Sequence, residues 1–274
     1  MTVWQAVILG IVQGVTEFLP VSSSGHLVIA QQLLGITEHA LTFDVMVHAG
    51  SLLAIVLALK DELALMWAGF AGLFRGREVD PAGAGPAAPE GRRLLGQVVV
   101  ATLPLVAAGL LFRDLVDEAF SSALVPVVLL FATGALLLYA DRAARAGTRE
   151  AAGWSHALWM GLAQALAVLP GLSRSGVTMS VGMMSGLSRQ AAARFSFLMA
   201  IPAIAGATVL ELRGLLAGQA VSAAGADALI VGAAASAVTS YAAIRLFLRF
   251  VRRGRLAPFA YYTWALGLVM LFML

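Results

Sequence analysis

The sequence has no cysteine, few charges and no lysine or arginine before Lys60, and each absence closes off a class of protein. Without cysteine there is no disulfide framework, thiol nucleophile or cysteine metal site, so any chemistry must use oxygen and nitrogen groups. Charged residues make up 12% of the 274 positions, against roughly a quarter in an average soluble domain. Hydrophobic residues make up 60%, and mean hydropathy is +0.89. That balance predicts a polytopic membrane protein. The apolar N-terminus lacks the cationic flank of a secretory signal and reads as retained structure. A net charge of +3, with arginine far outnumbering lysine, says more about topology than about partners, and no nucleic-acid role is expected.

Counting about 20 apolar residues per crossing, the sequence predicts an all-α chain of about six transmembrane helices plus two shorter broken hairpins. The hairpins fall near 3–35 and 153–187, and the spans near 44–72, 95–112, 122–140, 191–211, 226–248 and 258–274. The segment Arg75 to Arg93, rich in proline and glycine, predicts a flexible loop. Arg75, Arg77, Arg92 and Arg93, then Arg142, Arg145 and Arg149, then Arg249, Arg252, Arg253 and Arg255 fall on one side of this topology. The opposite loops hold Arg113 among Asp114, Asp117 and Glu118, and Arg213 alone. The positive-inside rule makes the arginine-rich side cytoplasmic and puts both termini outside.

What is present in place of charge is a duplicated motif. Leu19-Pro20-Val21-Ser22-Ser23-Ser24-Gly25-His26 and Leu169-Pro170-Gly171-Leu172-Ser173-Arg174-Ser175-Gly176 differ by a one-residue insertion. Three spans separate equivalent points of the copies, and an odd number inverts the second. The chain thus reads as a single membrane domain, 1–274, built from inverted repeats near 1–140 and 151–274. In such repeats re-entrant broken helices meet near the midplane and line a binding site. Each polar turn opens a helix, whose unpaired N–H groups and positive dipole end attract phosphate. Arg174 adds a bidentate cation. Two such tips would cradle a diphosphate, with Gln13, Ser22, Ser24, Gly25, Ser173, Ser175 and Gly176 as candidate substrate-binding residues.

Within this set Glu17, Ser23, His26 and Arg174 are the candidate catalytic residues. Ser23 is the candidate nucleophile and His26 its base, later its acid; water attacking directly with His26 or Glu17 as base stays open. Each has a plainer alternative. Arg174 and Glu17 could form a structural ion pair, the serines could be helix caps, and His26 could be a capping histidine. Gln13, one turn before Glu17, shares its face and could equally bond a neighbouring helix. Asp44 and His48 repeat the i, i+4 spacing, but Asp44 reads more simply as an N-cap than as half of a metal site. Arg189 and Arg194 read as interface anchors.

The stretch from Gln13 to His26 and the Leu169–Gly176 motif closely resemble the two signatures of the bacterial undecaprenyl-diphosphate phosphatases of the bacitracin-resistance type. Phe43-Asp44-Val45, Ala49 to Ala54, Ser188-Arg189 and Ala192 to Ser196 resemble further landmarks of that family, so the likeness spans nearly the whole chain. The resemblance implies hydrolysis of the C55 isoprenyl diphosphate to the monophosphate. That reaction recycles the lipid carrier of peptidoglycan synthesis, supports cell shape and gives bacitracin resistance. It also implies the bacterial inner membrane, an active site opening to the periplasmic side, contact with membrane lipids, and Mg²⁺ or Ca²⁺ held mainly by Glu17. A homodimer stays open. One departure matters: the first acidic position is often Glu and here is Gln13, which supplies no charge. A polyisoprenyl-phosphate flippase is the non-enzyme alternative, since transporters use the same broken-helix architecture. The other lipid-phosphatase superfamily, with Ser-Gly-His and Ser-Arg motifs, needs a later histidine, and none follows His156.

Overall fold

A computed structural model describes residues 1–36, 41–74, 87–122, 124–143, 148–216 and 225–273. Among them the architecture is all-helical, with one isolated bridge between Arg149 and Leu187. Helices α1 (Val3–Thr16) and α2 (Ser23–Leu33) form the first hairpin, α8 (Trp154–Leu166) and α9 (Arg174–Met184) the second. Between them run α3 (Leu41–Ala58), α4 (Lys60–Phe74), α5 (Ala87–Leu111), α6 (Arg113–Ser121) and α7 (Leu124–Ala143). After them come α10 (Arg189–Leu216), α11 (Ala226–Phe250) and α12 (Ala257–Met273).

Helices α5, α7, α10 and α11 are long and apolar enough to cross a bilayer, and α12 is a shorter apolar helix of 17 residues. The expected span at 44–72 is not continuous: α3 and α4 meet at a bend of 78°. The bend falls where Lys60, Asp61 and Glu62 follow one another, charges that an apolar span cannot carry through hydrocarbon. Two expected loops also differ. Residues 87–93 are already the first turns of α5, and the charged stretch from Arg113 to Glu118 is helix α6. Arg75, Arg77 and Arg145 lie outside the described residues.

Polar contacts gather the arginine-bearing ends at one end of the bundle. Asp141 at the end of α7 accepts from Arg189 Nε at 3.0 Å and from the backbone N–H of Leu256 at 3.2 Å. Gln97 of α5 donates to the carbonyl of Ala152 at 2.9 Å, and Ser188 N–H to the carbonyl of Arg149 at 2.9 Å. The outer ends of α8 and α9 therefore sit at this arginine-rich end. The outer ends of α1 and α2, joined by Gln5 Nε2 to the Leu34 carbonyl at 3.0 Å, sit at the other, where Ala6 and Leu9 share a core with Ala228 at the start of α11. The hairpins enter from opposite ends and their tips meet inside.

Packing exchanges partners between the halves: α1 lies on α11, and α8 lies on α5. The α1–α11 seam is made of small residues. A Cβ on Gly10 would collide with the Gly232 carbonyl, and one on Gly14 would come within 2.6 Å of the Ser236 carbonyl, so the backbones approach as only a small-xxx-small pattern permits. Ser51 of α3 then bonds Ser236 and Ser240 of α11, both at 3.0 Å, inside the same seam. At the first tip Phe18 packs edge-on against Phe197 of α10, ring centroids 5.4 Å apart. That contact pins the chain next to Glu17.

Candidate active site

Each hairpin breaks at a proline and restarts as a helix directly after a serine: Ser22 precedes α2 and Ser173 precedes α9. The first helical residues are therefore Ser23 and Arg174, equivalent positions in the two copies of the motif. Both side chains end on one carboxylate. Ser23 Oγ donates to Glu17 Oε2 at 2.7 Å, and Arg174 Nη2 donates to Glu17 Oε1 at 2.7 Å. Gln13 Nε2, one helical turn before Glu17, donates to Oε2 at 3.0 Å. Glu17 itself is 9% exposed, so this convergence is what makes an acidic side chain tolerable at that depth.

Gln13 stands behind Glu17, and Glu17, Ser23 and Arg174 line a cavity of about 260 Å³, together with Ser22, Ser24 and Ser173. Its opposite wall is apolar, with Leu105 of α5 and Ile204 and Ala207 of α10. His48 of α3 also lines it, with Nε2 3.8 Å from Glu17 Oε2. The other ring nitrogen, Nδ1, donates to the Asp44 carbonyl at 2.7 Å, which in the neutral ring leaves Nε2 as an acceptor facing the site. The sequence flagged His48 only through its spacing from Asp44. Asp44 does not join it on the cavity; its Oδ1 accepts from Gln31 Nε2 at 3.1 Å.

The remaining candidates fall elsewhere. His26 is outside the cavity lining. Its Nδ1 donates to the Ser22 carbonyl and its Nε2 accepts from the Tyr262 hydroxyl of α12, each at 2.7 Å. With both nitrogens engaged it is not placed to take a proton from Ser23. Ser175 is buried and turns its hydroxyl to the Leu19 carbonyl at 2.9 Å, tying one tip to the other. Ser173, besides lining the cavity, caps α9 by accepting from Gly176 N–H at 3.2 Å. Gly176 packs on Thr133 of α7, and Gly25 faces Met270 of α12. Arg189 pairs with Asp141, and Arg194 with Glu62 at 3.1 Å, both away from the tips.

Chemically, the tips bring two helix N-termini and a guanidinium to one cavity, which is an anion site. A hydroxyl hydrogen-bonded to a carboxylate is the arrangement of an activated nucleophile. Among the described residues no three His, Cys, Asp or Glu side chains group to hold a metal by themselves. Gln13 Oε1, however, is fully buried without a hydrogen-bond partner, one turn from Glu17. Two hard oxygen donors suit a Mg²⁺-type ion that keeps several waters and shares substrate phosphates.

A sequence profile described as Bacitracin resistance protein BacA matches residues 6–269. The chain is similar to two curated proteins, each named Undecaprenyl-diphosphatase. With the protein of Alteromonas mediterranea it shares 42% identity over 274 residues, 99% of this chain and 98% of that one. With the protein of Rubrobacter xylanophilus it shares 45% over 267 residues, 96% of this chain and 95% of that one.

Proposed function

The chain belongs to the bacitracin resistance protein BacA family, and from that membership and the site we infer that it is an undecaprenyl-diphosphatase. It is a multi-pass membrane hydrolase that converts undecaprenyl diphosphate to undecaprenyl phosphate and phosphate. This recycles the carrier lipid of cell-wall synthesis and confers bacitracin resistance. The observation that carries the mechanism is the shared carboxylate, with Ser23 on one oxygen and Arg174 on the other at 2.7 Å each.

We assign Ser23 as nucleophile and Glu17 as its base. Ser23 Oγ attacks the terminal phosphorus, its proton passes to Glu17, and the bond from that phosphorus to the bridging oxygen breaks, releasing the lipid monophosphate. Water then attacks the phosphorus of the phosphoserine and gives a proton to Glu17, which passes it to Ser23 Oγ as the bond from phosphorus to Oγ breaks and phosphate leaves. Glu17 is preferred to His26 because it already holds the Ser23 hydroxyl, whereas both His26 nitrogens are bonded elsewhere. His48, 3.8 Å from Glu17, is the group placed to pass the proton on. Arg174 holds two oxygens of the phosphate undergoing transfer, neutralising charge as the transition state loosens. A divalent ion, when bound, would be held by Glu17 and Gln13 Oε1 and would screen the diphosphate charge.

We place the protein in the bacterial inner membrane with the arginine-rich end cytoplasmic. Ala207 lies 18 residues along α10 from Arg189, which pairs with Asp141 at that end, roughly 27 Å at the α-helical rise. The depth supports a cavity opening on the periplasmic side. Cysteines at Trp4 and Glu150, flanking the two hairpins, should label from opposite sides. Same-side labelling would remove the inverted topology.

The deciding experiment is phosphate release by purified protein in detergent from a polyisoprenyl diphosphate. A flippase would use the same anion cradle but has no need of a serine held on a carboxylate. Activity lost in Ser23→Ala, with phosphoserine detected in wild-type protein quenched during turnover, supports the reading. Substantial turnover in Ser23→Ala would transfer the attack to water.

A further inference from the structure

Gln164 lies on α8 two residues before the helix ends at the second tip. It is 1% exposed and lines the same cavity as Arg174, Glu17 and Ser23. Neither its Oε1 nor its Nε2 has a hydrogen-bond partner. The other two buried glutamines among the described residues are unlike it, because each places Nε2 on an acceptor: Gln13 on Glu17 and Gln97 on the Ala152 carbonyl. A buried carboxamide unpaired at both ends is destabilising, and an apolar residue of the same shape would serve packing better. The residues that α10 brings to the same cavity, Ala203, Ile204 and Ala207, are apolar and offer the amide no side-chain partner.

We propose that Gln164 is a substrate-contacting residue that completes the diphosphate cradle from the α8 side, a role that rests on the phosphatase reading of the cavity. Its Nε2 donates to a non-bridging phosphate oxygen, and its Oε1 accepts from the water or phosphate hydroxyl beside it. A neutral amide is the suitable group at this point. Arg174 supplies the cation and Glu17 must remain able to take a proton, so a second charge would disturb their pairing. An amide instead adds direction, with donor and acceptor fixed in one plane. The two hairpins then contribute differently: Gln13 of the first reaches the site through Glu17, whereas Gln164 of the second lines the cavity itself.

The test is Gln164→Met, which keeps length and volume and removes both polar ends. Four quantities are read: Tm in detergent, KM and kcat for a polyisoprenyl diphosphate, and the inhibition constant of inorganic pyrophosphate. A ligand-facing role predicts an unchanged or raised Tm, with KM and the pyrophosphate inhibition constant both rising about tenfold, the equivalent of one lost hydrogen bond. Unchanged KM and inhibition overturn the proposal. So does a lowered Tm, which would make the amide part of the fold, bonded through water. Arg174→Lys runs beside it. If wild-type protein releases no phosphate, the phosphatase reading itself fails. If wild type is active, Arg174→Lys is crippled and Gln164→Met is indistinguishable from wild type, only the role of Gln164 fails.

Discussion

The two hairpin tips share a sequence pattern and do different work. At the second tip the hydroxyls of the turn and first helical turn are tied into the fold: Ser173 caps α9, Ser175 bonds the Leu19 carbonyl, and Thr178 bonds both the Arg174 carbonyl and Ser196, the last two at 2.7 Å. The positive backbone angle its turn needs falls on Gly171, φ 91°, where a Cβ would run into the Pro126 carbonyl. The first tip has no such glycine. Its positive angle falls on Ser22, φ 66°, whose side chain caps nothing and bonds only Ser24 Oγ at 3.2 Å. A non-glycine residue in that region is strained, and such residues gather at functional sites. One copy has become a largely buried frame that brings Arg174, with Ser173 beside it, to the cavity. The other has kept an open, less relaxed turn whose serines reach the cavity. The one-residue insertion separates the two outcomes, because it lets glycine take the turn before the serines begin.

The division is broken most severely at the shared carboxylate. Glu17→Gln and Ser23→Ala should each lower kcat about a thousandfold, as expected for removal of base or nucleophile, while the protein stays folded. In Glu17→Gln the dependence of rate on free Mg²⁺ should flatten; an unchanged metal dependence would send the search for ligands elsewhere. Arg174→Lys keeps the charge but loses the planar fork, and about a hundredfold loss of kcat/KM is expected. Near-wild-type activity would mean that the second tip presents only a charge. Gln13→Glu should stay active and reach half-maximal rate at lower Mg²⁺, since it adds a carboxylate one turn from Glu17. Ser175→Ala cuts the bond between the tips and should cost about 1 kcal/mol of stability, with less than a tenfold change in rate. The smallest contrast is the sharpest test of the comparison. Ser173→Ala should cost about 1 kcal/mol through the lost cap, whereas Ser22→Ala should leave stability nearly unchanged. Equal costs would mean that the two turns are not specialised.

Much of this was legible in the sequence where composition and spacing act locally. The duplicated Pro/Ser/Gly turns placed both hairpins within a few residues, and the arginine distribution separated the two ends of the bundle. Gln13 and Glu17 could be put on one face because four residues make about one helical turn. What local spacing could not show depended on distant parts of the chain. Asp44, which read more simply as an N-cap than as half of a pair with His48, lies in the first turn of α3, and the packing of that helix brings only His48 to the cavity. His26 looked like the partner of Ser23 because it is three residues away; tertiary structure gives it Tyr262 instead, 236 positions on. The ion pair of Glu17 with Arg174, which read as a plainer alternative to catalysis, exists and lies on the cavity, so its presence does not decide between the two readings. The bend between α3 and α4 was missed because hydropathy averages over the three charges that cause it.

The glycine seam between α1 and α11 has a consequence for how the protein is made. Gly10 finds Gly232 only after the chain has grown by about 220 residues, which at roughly 5–20 residues per second is on the order of ten to forty seconds of synthesis. Throughout that interval the groove of the first helix has no α11 to fill it. For most of it Glu17 also lacks Arg174. The earliest segment to emerge is thus among the last to be completed, and the nascent protein depends on shelter for a carboxylate whose partners are still being translated.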